Sequence, residues 1–484
     1  MPQPTQKLDQ LTTTRFFAAL SVVFFHGGRQ LGIIRYLPML AAGPTAVSYF
    51  FVLSGFVMAL AYYRPDVPFN FRGYWLARFS RIYPVYILSL VLTCLHYPSI
   101  LYKAKSAQVW SYMLLYQAWI PKYALSFNGA AWSLSVEVFF YLLLPILLIW
   151  FVRLSLKQVI GFSAGFWIVS QIVHSILTAR LMPGAVDLLA YFPPFHLNSF
   201  LLGLAGGIWY LTSSSRQTVN QTKNQVWLAI ALGAVLLLLS LRAYWPAFPQ
   251  NPTLDVGMLA PLFLLIILTL ARDTSRVSQT LSHPWLVLLG DASYALFILH
   301  IPIRWVFEKL LAFNRQSPTT SGIWFSIYVL TAIGISILIF QFIERPAREW
   351  LRTHPDVLTK MLLDIVLILA MTRLSFMLRL GTVSSGFFQT QASATRAGVG
   401  IFFLALLVFR FYSTNSWRSL ALGVLAGTIV LSRFMYYAWT SGTVELFPRS
   451  ILLLIPLLIF AAIYSSRVLM ELWKPKVQTE SGLG

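Results

Sequence analysis

Long apolar runs constrain this chain more than any other feature. Stretches of about 18 or more predominantly apolar residues, the length that crosses a bilayer as a helix, recur from end to end. Hydrophobic residues make up 58% of the 484 positions and charged residues 11%. The sequence therefore predicts an all-α polytopic membrane protein. Ten spans are expected near 13–31, 45–63, 79–97, 134–151, 158–177, 195–212, 226–243, 255–271, 286–308 and 323–343. Four more follow near 360–378, 396–413, 417–438 and 448–470, the first of them interrupted by Arg373 and Arg379. The run 109–120 is too short to span. Its Trp110, Tyr112, Tyr116 and Trp119 suit the headgroup level or a re-entrant loop.

The formal charge of +21 could suggest nucleic acid. Lys and Arg instead flank spans, and no basic run is interleaved with aromatics as a single-strand groove requires. With the amino terminus on the cytoplasmic side, the inner segments collect the larger share of basic residues, among them Arg64, Arg72, Arg78, Arg81, Arg153, Lys157, Arg345, Arg348 and Arg352. That orientation also leaves Lys474 and Lys476 inside if all four late runs span. The first run is read as a spanning helix rather than a cleaved signal. Lys7 and Asp9 precede it, and the apolar pattern resumes beyond the weak site Ala41-Ala42-Gly43. The single cysteine, Cys94, permits no intramolecular disulfide and no Cys-based metal site. No metal is expected. A shift in composition near 344–359, at Glu344-Arg345-Pro346 and Pro355, divides the chain into residues 1–352 and a hydrophobic extension, 353–484.

Several spans carry polar residues that lipid disfavours. Arg15 and His26 bound an apolar run and lie eleven residues apart, about 3.06 helical turns and about 16 Å, so they share a face. If Arg15 sits at one surface, His26 sits near the midplane, where an ionisable group marks function unless it is a packing histidine. Arg78 and Arg81 lie one turn apart at the start of the third span, with Arg72 nearby. Two guanidiniums on one face suit phosphate, and they also suit ordinary positive-inside anchoring. Trp132-Ser-Leu-Ser-Val-Glu137 opens the fourth span. Glu137 shares a face with Ser133 and Tyr141, and Ser135 lies in the same motif. It could orient an imidazole, act as a base, or be an interfacial carboxylate at a helix start. In Leu289-Gly-Asp291 through His300 to Pro302, Asp291 is a plausible N-cap. His300 falls well into the membrane. Pro302 cannot donate to the carbonyl of Ile298, which frees an acceptor near the histidine. Ser54-Gly55 in Phe50-Phe-Val-Leu-Ser-Gly-Phe56 suits close helix packing.

In their order along the chain these motifs resemble the acyltransferase 3 family of integral-membrane O-acyltransferases. The set comprises Arg15 to His26, Phe-Phe-Val-Leu-Ser-Gly-Phe, Arg78-Phe-Ser-Arg-Ile-Tyr-Pro84, Trp132 to Glu137, Ser293 to His300, and Glu344-Arg-Pro346. The likeness covers roughly residues 8–352. It implies a bundle of about ten helices, with the four C-terminal spans as an addition. It implies a cytoplasmic acyl-coenzyme A donor, usually acetyl-coenzyme A, used as a substrate and not held permanently. It also implies a glycan or glycolipid acceptor on or facing the outer side, with membrane lipid around the protein, in a bacterial cytoplasmic (inner) membrane. By the same likeness Arg15 and His26 stand at the functional centre, Arg78 and Arg81 beside the donor, and Glu137 at the acidic position, which makes His26 and Glu137 the catalytic candidates. The residues' own chemistry agrees, since the polyanionic donor suits Arg15, Arg72, Arg78 and Arg81 at the inner surface. From their positions in the motifs, Ser135, Tyr141, Asp291 and His300 are expected to support the site. Two departures stand out. Leu11-Thr12-Thr13-Thr14 replaces the usual opening turn, and helices take the place of the esterase-like domain of some relatives. On this reading His26 takes the acceptor proton, with a covalent acyl-histidine step as the other route. A transporter or flippase for a glycan, lipid or anion is the rival function, and paired broken helices would mark it.

Overall fold

The computed structural model describes residues 8–30, 33–97, 106–180, 186–212, 220–245, 252–312, 318–380, 388–409, 411–440, 442 and 450–472. Lys474 and Lys476 lie outside them. Every regular element among the described residues is helical. Ten of the helices are long and apolar enough to cross a membrane, or eleven if one bent pair counts as a single span. The chain is thus an all-α, multi-pass integral membrane protein. It divides into two compact units, one formed by Met1–His96 with Trp110–Glu349, the other by Tyr97–Val109 with Trp350–Gly484.

In the first unit the long elements are α1 (Asp9–Gln30), α2 (Thr45–Tyr62) and α3 (Phe71–His96). The short α4 (Ser106–Met113) leads into single turns at Gln117–Trp119 and Pro121–Tyr123, so the 109–120 run does not span. There follow α5 (Trp132–Phe151), α6 (Leu156–Arg180), α7 (Val186–Tyr191), α8 (Pro193–Thr212) and α9 (Gln221–Tyr244). The last group is α10 (Ala260–Arg272), α11 (Arg276–Leu281), α12 (Pro284–Asp291), α13 (Ser293–Ala312) and α14 (Pro318–Ile339). The span expected at 255–271 is shortened, because α10 begins only at Ala260 and has 13 residues.

Lipid supplies no hydrophobic drive between helices, so close backbone approach does the work of packing. The α2–α8 pair shows it. A Cβ on Gly55 would collide with the Phe200 carbonyl, and one on Gly203 with the Val52 carbonyl. Gly55 therefore fills the packing role expected of it. Leu11, Val52, Phe56, Leu202, Ala231 and Ile267 join α1, α2, α8, α9 and α10 in one apolar core.

The ninth span departs from expectation. It is broken at Ala292 into α12 and α13, which meet at 56°. Asp291 is the last residue of α12 and not the N-cap of a straight helix. The cause is a contact distant in sequence: Gly290 lies against the backbone of Thr12 and Thr13, where any side chain would collide. The tenth span also runs on past the expected stop at Glu344. Pro346 has no N–H for the ladder, and the chain absorbs this in a π turn, Phe340–Glu344, before continuing as α15 (Arg345–Thr353).

The second unit contains α16 (Pro355–Leu380), α17 (Phe388–Val408), the single turn α18 (Phe411–Thr414), α19 (Trp417–Thr440) and α20 (Ser450–Leu472). Despite Arg373 and Arg379, α16 is one continuous helix of 26 residues. Ile368, Phe402, Leu431, Ile455 and Ile459 form the core. Within it Arg467 Nη2 donates to Asp364 Oδ2 at 2.6 Å, both side chains being buried, and the guanidinium lies over the Phe411 ring.

Candidate active site

A cavity of about 70 Å³ opens among α1, α2, α3, α5 and α13. Its polar lining consists of Arg15, Ser54, Arg81, Ser133, Glu137, Tyr141, Ser293 and Tyr294. Phe50, Phe51, Phe297 and Met58 supply apolar walls. The space is enough for several waters. The i, i+4 spacing of α5 puts Ser133, Glu137 and Tyr141 on this face, and Tyr141 Oη donates to Glu137 Oε2 at 3.2 Å. Arg81, Arg15 and Arg78 all lie within electrostatic reach of the Glu137 carboxylate. Such a pairing makes a carboxylate tolerable among apolar helices.

Arg78 and Arg81 take different places although they are one turn apart. Arg81 lines the cavity. Arg78 is buried behind it, with Nη2 donating to Tyr62 Oη at 3.2 Å and Nη1 to Met58 Sδ at 3.6 Å. Its guanidinium also lies over the Tyr62 and Tyr141 rings, at 5.5 and 5.6 Å from their centroids. Arg72 is exposed in the first turn of α3 and is not part of the lining. Ser135 points away from the cavity and accepts the Ala118 N–H at 3.3 Å. Asp291 lies within electrostatic reach of Arg15 and borders a second, wider recess with Asp9, Arg345 and Arg348.

The two histidines meet. α1 runs beside α12 and then α13, from the Thr12–Gly290 contact on α12 to His26 and His300 on α13. Ser293, Phe297, His300 and Arg304 recur at helical spacing along α13. His300 Nε2 is 3.1 Å from His26 Nδ1. His300 Nδ1 is 2.6 Å from the carbonyl of Phe297, a residue of the cavity wall, so the pair stands one turn beyond the cavity. His26 Nδ1 is also 3.1 Å from the Val22 carbonyl. Tyr328 Oη donates to the His300 carbonyl at 3.3 Å, and Arg304 Nη1 to the His26 carbonyl at 3.5 Å. Arg304 is itself paired with Glu308 at 2.7 Å.

The carbonyl that Pro302 frees has a partner. Asn128 Nδ2 donates to Ile298 O at 2.7 Å, while Asn128 Oδ1 accepts from Ala130 N at 3.1 Å. This buried asparagine ties the segment before α5 to the bend-prone stretch of α13. Asn128, Tyr294 and Arg304 escaped the sequence reading. Arg304 could have been found from its helical register with His300, one turn on. Tyr294 lies six residues before His300, off that face, and had no such signal. Asn128 carries no local signal.

The acyltransferase 3 family model, described as an acyltransferase domain, matches residues 8–341. The chain is 27% identical over 392 residues to acyltransferase MdmB of Streptomyces mycarofaciens, covering 74% of this chain and 96% of that protein. It is 26% identical over 371 residues to nodulation protein 10 of Rhizobium leguminosarum bv. viciae, covering 70% and 92%. It is 24% identical over 336 residues to the peptidoglycan O-acetyltransferase OatA of Listeria monocytogenes, covering 63% of this chain and 51% of that one. No solved structure matches the chain.

Proposed function

The chain belongs to the acyltransferase 3 family and is a membrane O-acyltransferase, and from that premise we propose that it carries an acyl group, acetyl in the first instance, from cytoplasmic acyl-coenzyme A to a hydroxyl of an extracytoplasmic or lipid-linked glycan. The observation that supports this most is the cavity that gathers Arg15, Arg81 and Glu137, with the His26–His300 pair one turn beyond its Phe297 wall. The amino terminus is inside on this reading, in a bacterial inner membrane, so the arginine side faces the cytoplasm.

Coenzyme A is polyanionic, and Arg15 and Arg81 offer guanidinium forks to its phosphates. Arg78, wrapped by Tyr62, Met58 and Tyr141, holds Tyr141 and the cavity wall in place rather than meeting the donor first. Arg72 contributes charge at the mouth. Glu137 keeps the two cavity arginines oriented. The pantetheine arm brings its thioester toward His26. A hydroxyl arriving from the opposite side gives its proton to the imidazole, and the oxygen attacks the thioester carbonyl. The C–S bond breaks, and the proton passes from His26 to the departing thiolate. Positioned proton transfer of this kind is worth about 10²–10⁴-fold in rate.

Mass spectrometry of surface glycans and membrane lipids, with and without the protein, tests the reading. One acetyl group added to a single carrier is expected, and the carrier names the acceptor. Identical acyl content in both samples, despite a folded protein, would count against it.

A further inference from the structure

We infer that His300 is a positioning residue for His26, holding it in the tautomer that carries its proton on Nδ1, so that Nε2 is the basic atom. The inference rests on His26 being the base in the proposed transfer. It follows from three contacts. His300 Nδ1 faces the Phe297 carbonyl at 2.6 Å, His26 Nδ1 faces the Val22 carbonyl at 3.1 Å, and His300 Nε2 faces His26 Nδ1 at 3.1 Å. A carbonyl oxygen only accepts, whereas each nitrogen of a neutral imidazole either donates or accepts.

Two neutral rings allow four proton assignments. With both protons on Nδ1, His300 donates to Phe297 O, and His26 donates one shared proton to Val22 O and His300 Nε2. All three contacts then hold a proton. With both protons on Nε2, each Nδ1 lone pair faces a carbonyl oxygen. With His300 protonated on Nε2 and His26 on Nδ1, two N–H groups point at each other. With His300 protonated on Nδ1 and His26 on Nε2, no proton lies between the rings and a lone pair faces Val22 O. Only the first assignment satisfies the geometry.

The consequence reaches the chemistry. Nδ1 of His26 is occupied by two acceptors, which leaves the Nε2 lone pair for the incoming hydroxyl. Once Nε2 has taken that proton, the imidazolium keeps its Nδ1–H shared between Val22 O and His300 Nε2. His300 thus does, with a neutral ring, what an orienting carboxylate does in a catalytic triad. The backbone of each histidine is tethered as well, through Tyr328 at His300 and Arg304 at His26.

The test reads the tautomer and the rate separately. The full-length protein, labelled with ¹⁵N-histidine, is examined by two-bond ¹⁵N–¹H correlation, with His26 assigned by its loss in His26→Gln. The wild type is expected to show the His26 proton on Nδ1. His300→Ala should give a mixture of tautomers. His300→Gln, whose amide oxygen reaches the place of Nε2, should restore the wild-type pattern. In parallel, transfer from acetyl-coenzyme A to an alkyl glucoside is measured. His300→Ala should lower kcat by about 10²-fold with KM for the donor unchanged, and His300→Gln should recover most of it. A His26 proton on Nε2 in the wild type would overturn the inference. So would an unchanged tautomer with full kcat in His300→Ala. Inertness of the wild type toward acetyl-coenzyme A would instead strike the donor reading, and the tautomer is read without turnover.

Discussion

Both units bury charge inside a membrane bundle, and they do so in opposite ways. In the C-terminal unit the charges are closed off: Asp364 is fully buried, Arg467 grips it at 2.6 Å, and Phe411 covers the guanidinium. In the N-terminal unit Arg15, Arg81 and Glu137 face a cavity. A sealed pair serves the fold. Charges left facing a cavity, with a histidine pair one turn beyond, are arranged for something that enters. The family model ends at residue 341, so the open set lies inside it and the sealed pair outside.

Matched replacements sharpen this contrast most. Replacing Glu137 with Leu and Arg81 with Met together is expected to lower transfer by more than about 10²-fold in the folded protein, because a charge placed to hold a polyanionic substrate, and the carboxylate that orients it, are not replaceable by packing. Replacing Asp364 with Leu and Arg467 with Met should leave transfer intact. A buried pair exchanged for apolar groups is often neutral or stabilising, by ~1–4 kcal/mol. Equal losses of transfer in the two double variants would erase the distinction. Asp364→Leu alone strands the buried Arg467 and should cost about 3–5 kcal/mol of stability, read from thermal or denaturant unfolding. Turnover of the protein that remains folded should not change.

Smaller effects separate the neighbouring arginines. Arg81→Gln should weaken acetyl-coenzyme A binding by the value of a charged hydrogen bond, about 1.5–3 kcal/mol. Arg78→Gln should act more on stability than on donor affinity, since its partners are Tyr62, Tyr141 and Met58. Isothermal titration of both variants decides this, and a larger donor effect at Arg78 would reverse the assignment. Asn128→Ala leaves the Ile298 carbonyl without its side-chain donor and should cost about 1–3 kcal/mol, again read by unfolding.

What the sequence made legible was local. Apolar length gave the series of helices. Period 3.6 put Ser133, Glu137 and Tyr141 on one face, and the missing N–H of Pro302 exposed an acceptor at Ile298. What it hid was set by contacts distant along the chain. His26 and His300 are 274 positions apart, and nothing in either motif says that they touch. Arg78 and Arg81 read as equivalent by spacing. They part company because Tyr62 on α2 and Tyr141 on α5 enclose one of them. The bend at Ala292 has no breaker at that position. It follows from Gly290 resting against α1, and it turned an expected cap at Asp291 into a helix end.

The proton transfer proposed for His26 stands or falls with purified His26→Ala. Acetyl-coenzyme A turnover and donor binding are measured on the same folded preparation. Turnover lower by about 10²–10⁴-fold with donor binding largely kept is expected, from the proposed roles of the imidazole on the acceptor proton and of the arginines on the donor. Near-normal turnover in His26→Ala would contradict the proposal and move the base to Glu137 or His300.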